Sequence, residues 1–101
     1  MTSILVTGAA GRTGRAVLAA ADAAGHRVRA FIRDPGKESA VRSAGAKDVA
    51  VGDLTARESL LAAAAGMDVV VHIGPPMHPA EVEMTGNALA AAAASGAGFV
   101  Y

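Results

Sequence analysis

The chain has 101 residues, with 52% hydrophobic but only 3% aromatic side chains, so it is at most one domain with a thin core of small residues. Nine basic residues balance nine acidic ones, which excludes the single-sign surface field of a nucleic-acid or membrane-surface binder. Cysteine is absent, which removes disulfides, thiol catalysis and cysteine-based zinc sites. The N-terminus lacks the basic region of a signal peptide. The most apolar stretch, Ala88 to Ala94, is too short to span a bilayer. A cytoplasmic protein without nucleic-acid or membrane partners is the resulting expectation.

In chain order, Ser3 to Val6 is an apolar run that predicts a first strand. Gly8, Gly11 and Gly14 then stand three apart, ahead of an Ala-rich helical pattern from Arg12 to Ala24 with Val17, Leu18 and Ala21 on one face. Gly25 supplies the stop. Val28 to Ile32 predicts strand two. Asp34-Pro35-Gly36 reads as a turn into helix two, with Asp34 as N-cap and Pro35 in the first helical position. Helix two ends at Gly45, and Asp48 to Val51 predicts strand three.

Thr55-Ala56-Arg57-Glu58 has the spacing of a capping box opening helix three. Leu60, Leu61 and Ala64 are its expected buried face, and Gly66 its end. Asp68 to Ile73 is a nearly continuous apolar run, as a central parallel strand covered on both faces requires. Gly74-Pro75-Pro76 stops it. Helix four is expected over Pro79 to Ser95, with Val82, Leu89, Ala92 and Ala93 on the buried stripe and Glu81 and Glu83 near its positive end. Strand five begins at Phe99.

Alternating strands and helices with right-handed crossovers predict an α/β, doubly wound, parallel Rossmann-like sheet of order 3-2-1-4-5, stopping at strand five. The switch point then falls between strands one and four, where Gly8 to Gly14 and Ile73 to Pro76 meet. The strand, glycine turn and helix N-terminus together predict a dinucleotide-phosphate site over Gly8, Gly11, Arg12, Thr13 and Gly14. No Gly-Lys-Ser/Thr closes the turn, so a nucleotide-triphosphate loop is excluded.

Arg33 is the first residue past strand two. An acid there would hold the ribose hydroxyls of NAD; a guanidinium pairs instead with the 2′-phosphate of NADP. NADP is therefore favoured over NAD. Asp34 is assigned to the helix cap because Pro35 follows it; a strand two one residue longer would turn Asp34 to the ribose and favour NAD.

The turn Thr7-Gly8-Ala9-Ala10-Gly11-Arg12-Thr13-Gly14, followed by Phe31-Ile32-Arg33-Asp34-Pro35, Val51-Gly52-Asp53-Leu54-Thr55 and Val69 to Pro76, resembles the NmrA-like branch of the atypical short-chain dehydrogenases. The resemblance covers the whole chain, which is less than half of a usual family member. It implies an NAD(P)-binding oxidoreductase or a non-catalytic nucleotide sensor. It implies that Arg12 is a second contact for the 2′-phosphate, that Asp53 meets the adenine amino group with the Leu54 amide beside the ring, and that Ile73, Gly74 and Pro75 lie along the ribose and nicotinamide. With Thr55 as the better helix cap, Asp53 is expected to be free for ligand.

His72 and His78 lack a third ligand, so no metal site is expected and both read as a strand-end and a loop residue. Tyr101, placed within strand five with no following Lys, is rejected as a proton donor. No catalytic residue is identified. The chain supplies a cofactor half. A substrate half for a quinone-like or other small acceptor is missing. Three readings stand: part of an NADPH-dependent oxidoreductase, an NADP redox sensor, or an inactive remnant. The exposed strand-five edge is a candidate surface for self-association.

Overall fold

The apolar runs of the sequence form strands and the Ala-rich stretches form helices. The structure, a computed structural model, describes residues 2–74 and 78–101. Its elements are β1 (Ser3–Val6), α1 (Arg12–Ala23), β2 (Arg27–Ile32), a 3-10 turn over Pro35–Lys37, α2 (Glu38–Ser43), β3 (Asp48–Val51), α3 (Arg57–Ala64), β4 (Val69–Val71), α4 (Glu81–Ser95) and β5 (Gly98–Val100). All strand pairs are parallel, and the order is β3-β2-β1-β4-β5 as expected. β1 is central: Leu5 faces Arg29 of β2 on one side and Val70 of β4 on the other.

Period-two alternation along the strands splits the core into two layers. Leu5, Phe31 and Val70 point to the face covered by Leu60, Ala63 and Ala64 of α3 and Ala88, Ala91 and Ala92 of α4. Val6, Val28, Ala30 and Ile32 point to the other face, against Leu18 of α1 and Val41 of α2. Gly25, Gly45, Gly66 and Gly96 follow the four helices and all have positive φ, between 70° and 125°. They turn the chain back to the sheet with no Cβ penalty. Among the described residues, no helix is long and apolar enough to cross a membrane.

Several expectations are corrected. The capping box of α3 does not form: Ala56 is the N-cap and makes no side-chain bond. The Thr55 hydroxyl donates instead to Asp53 Oδ1, 2.7 Å away, and the Thr55 amide donates to the same oxygen at 2.8 Å. A local Asx turn has captured the side chain, and the helix starts two residues later. Leu61 is 38% exposed, and Ala63 takes its place in the core beside Leu60 and Ala64.

β4 is shorter than its apolar run, ending at Val71. α4 begins at Glu81, two residues after Pro79, and its buried stripe is Met84, Asn87, Ala88, Ala91 and Ala92. Val82 and Leu89, seven apart on the opposite face, are 87% and 51% exposed, and Ala93 is exposed with them. An alanine-rich helix has too even a hydropathy to fix its own phase. The alanines face inward because only small side chains let α4 approach Ala63 and Ala64 of α3. β5 begins at Gly98, and Tyr101 lies just past its end.

Candidate cofactor site

The glycine turn between β1 and α1 is fixed by backbone collisions. Gly8 has φ +62°, and a Cβ there would run into the Ile73 carbonyl. A Cβ on Gly14 would strike the Gly8 carbonyl and lie 2.7 Å from the Ala9 Cα. Gly11 is different. A Cβ on it would meet only the Gly8 carbonyl, at an ordinary 3.6 Å, so its outer side is open. Gly11 is the N-cap of α1, no side chain caps that end, and no acid sits in the first turn. The amides of Arg12, Thr13 and Gly14 therefore have no intrahelical acceptor and carry the positive end of the helix dipole.

The opposing lip is held by a polar clasp. The Thr7 amide donates to the Val71 carbonyl at 3.0 Å. The Ile73 amide donates to the Thr7 hydroxyl oxygen at 3.0 Å. That hydroxyl lies 2.8 Å from His72 Nδ1, and the Thr85 hydroxyl of α4 lies 3.3 Å from Nε2. Each ring nitrogen of His72 therefore faces a hydroxyl, Thr7 at Nδ1 and Thr85 at Nε2. Burial holds the His72 pKa below the usual histidine range, with Glu81 opposing the shift. His72 is thus more than the plain strand-end residue expected.

On the other side of the switch point, β2 ends at Ile32, which makes Arg33 the first residue beyond it. Asp34 is the cap expected: its carboxylate accepts the Gly36 amide at 2.9 Å, with Pro35 in the first position of the turn. Asp53 is less free than expected, since Oδ1 holds both Thr55 donors. These bonds, and more weakly Arg33, keep the Asp53 carboxyl below its ordinary pKa.

These segments enclose a cleft of about 580 Å³, within the size range of ligand sites, ~300–1,000 Å³. Gly8, Gly11, Arg12, Thr13, Gly14, Arg33, Asp53, Leu54, Ile73 and Gly74 all line it. Pro75 lies outside the described residues, as do Pro76 and the stop it was expected to reinforce. Phe31, Lys37, His78 and Met84 line the same cleft and were missed. For Lys37 the signal was present: the Asp34-Pro35 cap starts a turn, closed by the Lys37 amide on the Asp34 carbonyl at 2.9 Å, that brings Lys37 to the cleft that Arg33 lines. The ion pairs among the described residues use Arg27, Arg29, Arg42 and Lys47. Arg12, Arg33 and Lys37 stand outside them and are exposed at the cleft.

The sequence profile of a family described as NAD(P)H-binding matches residues 8–99. The chain belongs to that NAD(P)H-binding family. No curated protein sequence matches it. Among solved structures, this NAD(P)H-binding domain is similar to an Agrobacterium tumefaciens short-chain dehydrogenase/reductase superfamily protein with bound NAD: 37% identity, 94% of this chain, 30% of the other, TM-score 0.73. It is similar to an NADPH-dependent quinone oxidoreductase from Escherichia coli: 25% identity, 96% of this chain, 33% of the other, TM-score 0.73. It is also similar to a Bacillus halodurans protein assigned as an NAD-dependent epimerase/dehydratase: 25% identity, 98% and 50% coverage, TM-score 0.83. The domain spans 30% to 50% of these proteins' lengths.

The cleft fits the family's cofactor on its own geometry. The uncapped helix end and the open side of Gly11 suit a pyrophosphate. Among the described residues, no three His, Asp or Glu side chains converge to hold a metal ion. Both ring nitrogens of His72 are engaged, and His78 Nδ1 accepts the Ala80 amide at 3.0 Å.

Proposed function

We propose that this NAD(P)H-binding domain, residues 1–101 as a single unit, binds NADP(H) in preference to NAD(H) as the cofactor part of a cytoplasmic NmrA-like oxidoreductase. One observation carries the preference: Arg12, Arg33 and Lys37 line the cleft without ion-pair partners among the described residues, while Asp34, the acid that could hold a ribose, is turned back to cap Gly36. Three cations suit a 2′-phosphate, and the Asp34 carboxylate, with Oδ1 held by the Gly36 amide, keeps one oxygen for a 2′-hydroxyl.

In this reading the amides of Arg12, Thr13 and Gly14 take the pyrophosphate. Arg33, with Arg12 and Lys37, takes the 2′-phosphate. The free Asp53 oxygen and the Leu54 amide meet the adenine edge, and the backbone of Ile73, Gly74 and Pro75 lies beside ribose and nicotinamide. When bound, the cofactor supplies a hydride. The chain's own residues orient it, and no acid or base for substrate is assigned to them. The similarity to an NADPH-dependent quinone oxidoreductase supports a quinone-like or other small acceptor, bound by segments beyond these residues.

The test is a calorimetric titration of the purified chain with NADPH and NADH, repeated on Arg33→Glu. Tight NADPH binding, weaker NADH binding and a reversed or lost preference in the variant are expected. NADH binding as tight as NADPH in the parent would overturn the preference. Binding without hydride transfer to any quinone by the full-length protein would instead favour a redox-sensing module.

A further inference from the structure

Asn87 is one of few buried polar side chains among the described residues, and it lies midway along α4. Its Nδ2 donates to the Leu54 carbonyl at 3.0 Å, and its Oδ1 accepts from Arg57 Nε at 3.2 Å. Leu54 presents a carbonyl there and Arg57 can only donate, so the amide has one possible orientation.

The loop it grips is otherwise tied to itself and, through Gly52, to β2. Both Thr55 donors go to Asp53 Oδ1, the Ala56 amide goes to the Asp53 carbonyl at 2.9 Å, and the Gly52 amide goes to the Ile32 carbonyl at 2.9 Å. The Asn87 bond reaches the loop from a helix more than thirty residues away. It anchors the Leu54 carbonyl, and Asp53 and Leu54 both line the cleft.

We infer that Asn87 is a positioning residue for base recognition: by holding the Leu54 carbonyl it sets the Asp53–Leu54 pair in register with adenine and so selects adenine over a 6-oxopurine. The inference rests on the dinucleotide reading above. Adenine offers an amino donor beside a ring-nitrogen acceptor. The free Asp53 oxygen accepts, and the Leu54 amide donates. Hypoxanthine reverses both groups, placing a carbonyl against the carboxylate and an N–H against the amide, and a site built to pair one edge rejects the other. That rejection holds only while the loop is held in place, because a displacement of about 1 Å loses the pairing.

The experiment titrates the chain with NADPH and with its hypoxanthine analogue, for the parent, Asn87→Asp and Arg57→Met, each shown folded by circular dichroism. Asn87→Asp keeps the acceptor for Arg57 but turns an acceptor towards the Leu54 carbonyl. It is expected to lower the adenine preference about tenfold, the worth of one such hydrogen bond, while the NADPH-to-NADH ratio, set at Arg33, stays at the parent value. Arg57→Met is expected to keep the adenine preference. An unchanged preference in Asn87→Asp, or equal losses in both variants, overturns the inference while leaving the dinucleotide reading intact. No binding of NADPH or NADH by the folded parent overturns both.

Discussion

The Thr7 hydroxyl lies 2.8 Å from His72 Nδ1 and at the same time accepts the Ile73 amide. One side chain on β1 thereby joins the last residues of β4 to a buried imidazole, and through it to Thr85 of α4. The ends of β1 and β4 are therefore tied together and to α4 by a chain of polar bonds whose centre has almost no contact with water: Thr7 is 0% and His72 2% exposed.

That arrangement predicts an acid-side loss of stability. The His72 pKa is lowered in the folded chain, so as pH falls through about 6.5 the unfolded chain takes up a proton that the folded chain refuses. Stability is flat with respect to His72 above that pH and declines below it. Urea midpoints for the parent should drop between pH 7.5 and 5.5, and His72→Gln should remove that part of the slope. An equal slope in the variant would assign it to other groups.

Thr7→Val keeps the shape of the side chain and deletes the clasp. It leaves the Ile73 amide and His72 Nδ1 without partners, which should cost about 1–3 kcal/mol. Thr7→Ser, which keeps the hydroxyl, should recover most of it. Denaturant titration of the two variants decides; equal losses would place the effect in packing.

The three turn glycines should separate cleanly. Gly14→Ala drives a Cβ into the Gly8 carbonyl and should abolish cooperative folding or shift the turn. Gly11→Ala meets only an ordinary contact and should cost at most about 1 kcal/mol as a poorer N-cap, while weakening dinucleotide binding. Thermal melts and titrations on the same samples check both halves.

On α4, Val82→Ser should change stability by no more than about 0.5 kcal/mol, as at other exposed sites. Ala88→Leu, on the face packed against α3, should cost about 1–3 kcal/mol through overpacking. The reverse ranking would restore the buried stripe expected from the sequence.

The NADPH affinity should also depend on salt more steeply than the NADH affinity, because exposed cations at the cleft act over a Debye length of about 8 Å at physiological ionic strength. Lys37→Met should reduce that difference. Titrations across a range of sodium chloride would show it.

The legible parts of this fold were those written in local chemistry. Gly8 and Gly14 mark the turn because backbone collisions leave no alternative, and Asp34-Pro35 marks a cap because proline fixes the next φ. The glycines after each helix delimited the elements, and the alternation of strands and helices gave a parallel sheet covered on both faces. What stayed hidden depended on partners distant in sequence. Thr55 and Glu58 have capping-box spacing, but Asp53 two residues upstream competes for the same hydroxyl. Val82 and Leu89 look like core until α3 demands alanines. Asn87 and His72 draw their meaning from Leu54 and Thr7, thirty-three and sixty-five positions away, and no periodicity announces such a pair.

Tyr101 stacks on His72 with ring centroids 5.8 Å apart, and its hydroxyl donates to Glu81 at 3.2 Å. The sequence contains one tyrosine and no tryptophan. The chain's near-ultraviolet emission therefore comes from a ring lying against the imidazole that braces the crevice. Protonation of His72 or movement of Glu81 alters the surroundings of that tyrosine directly, so residues 1–101 carry their own optical gauge of the β1–β4 clasp, with no label added.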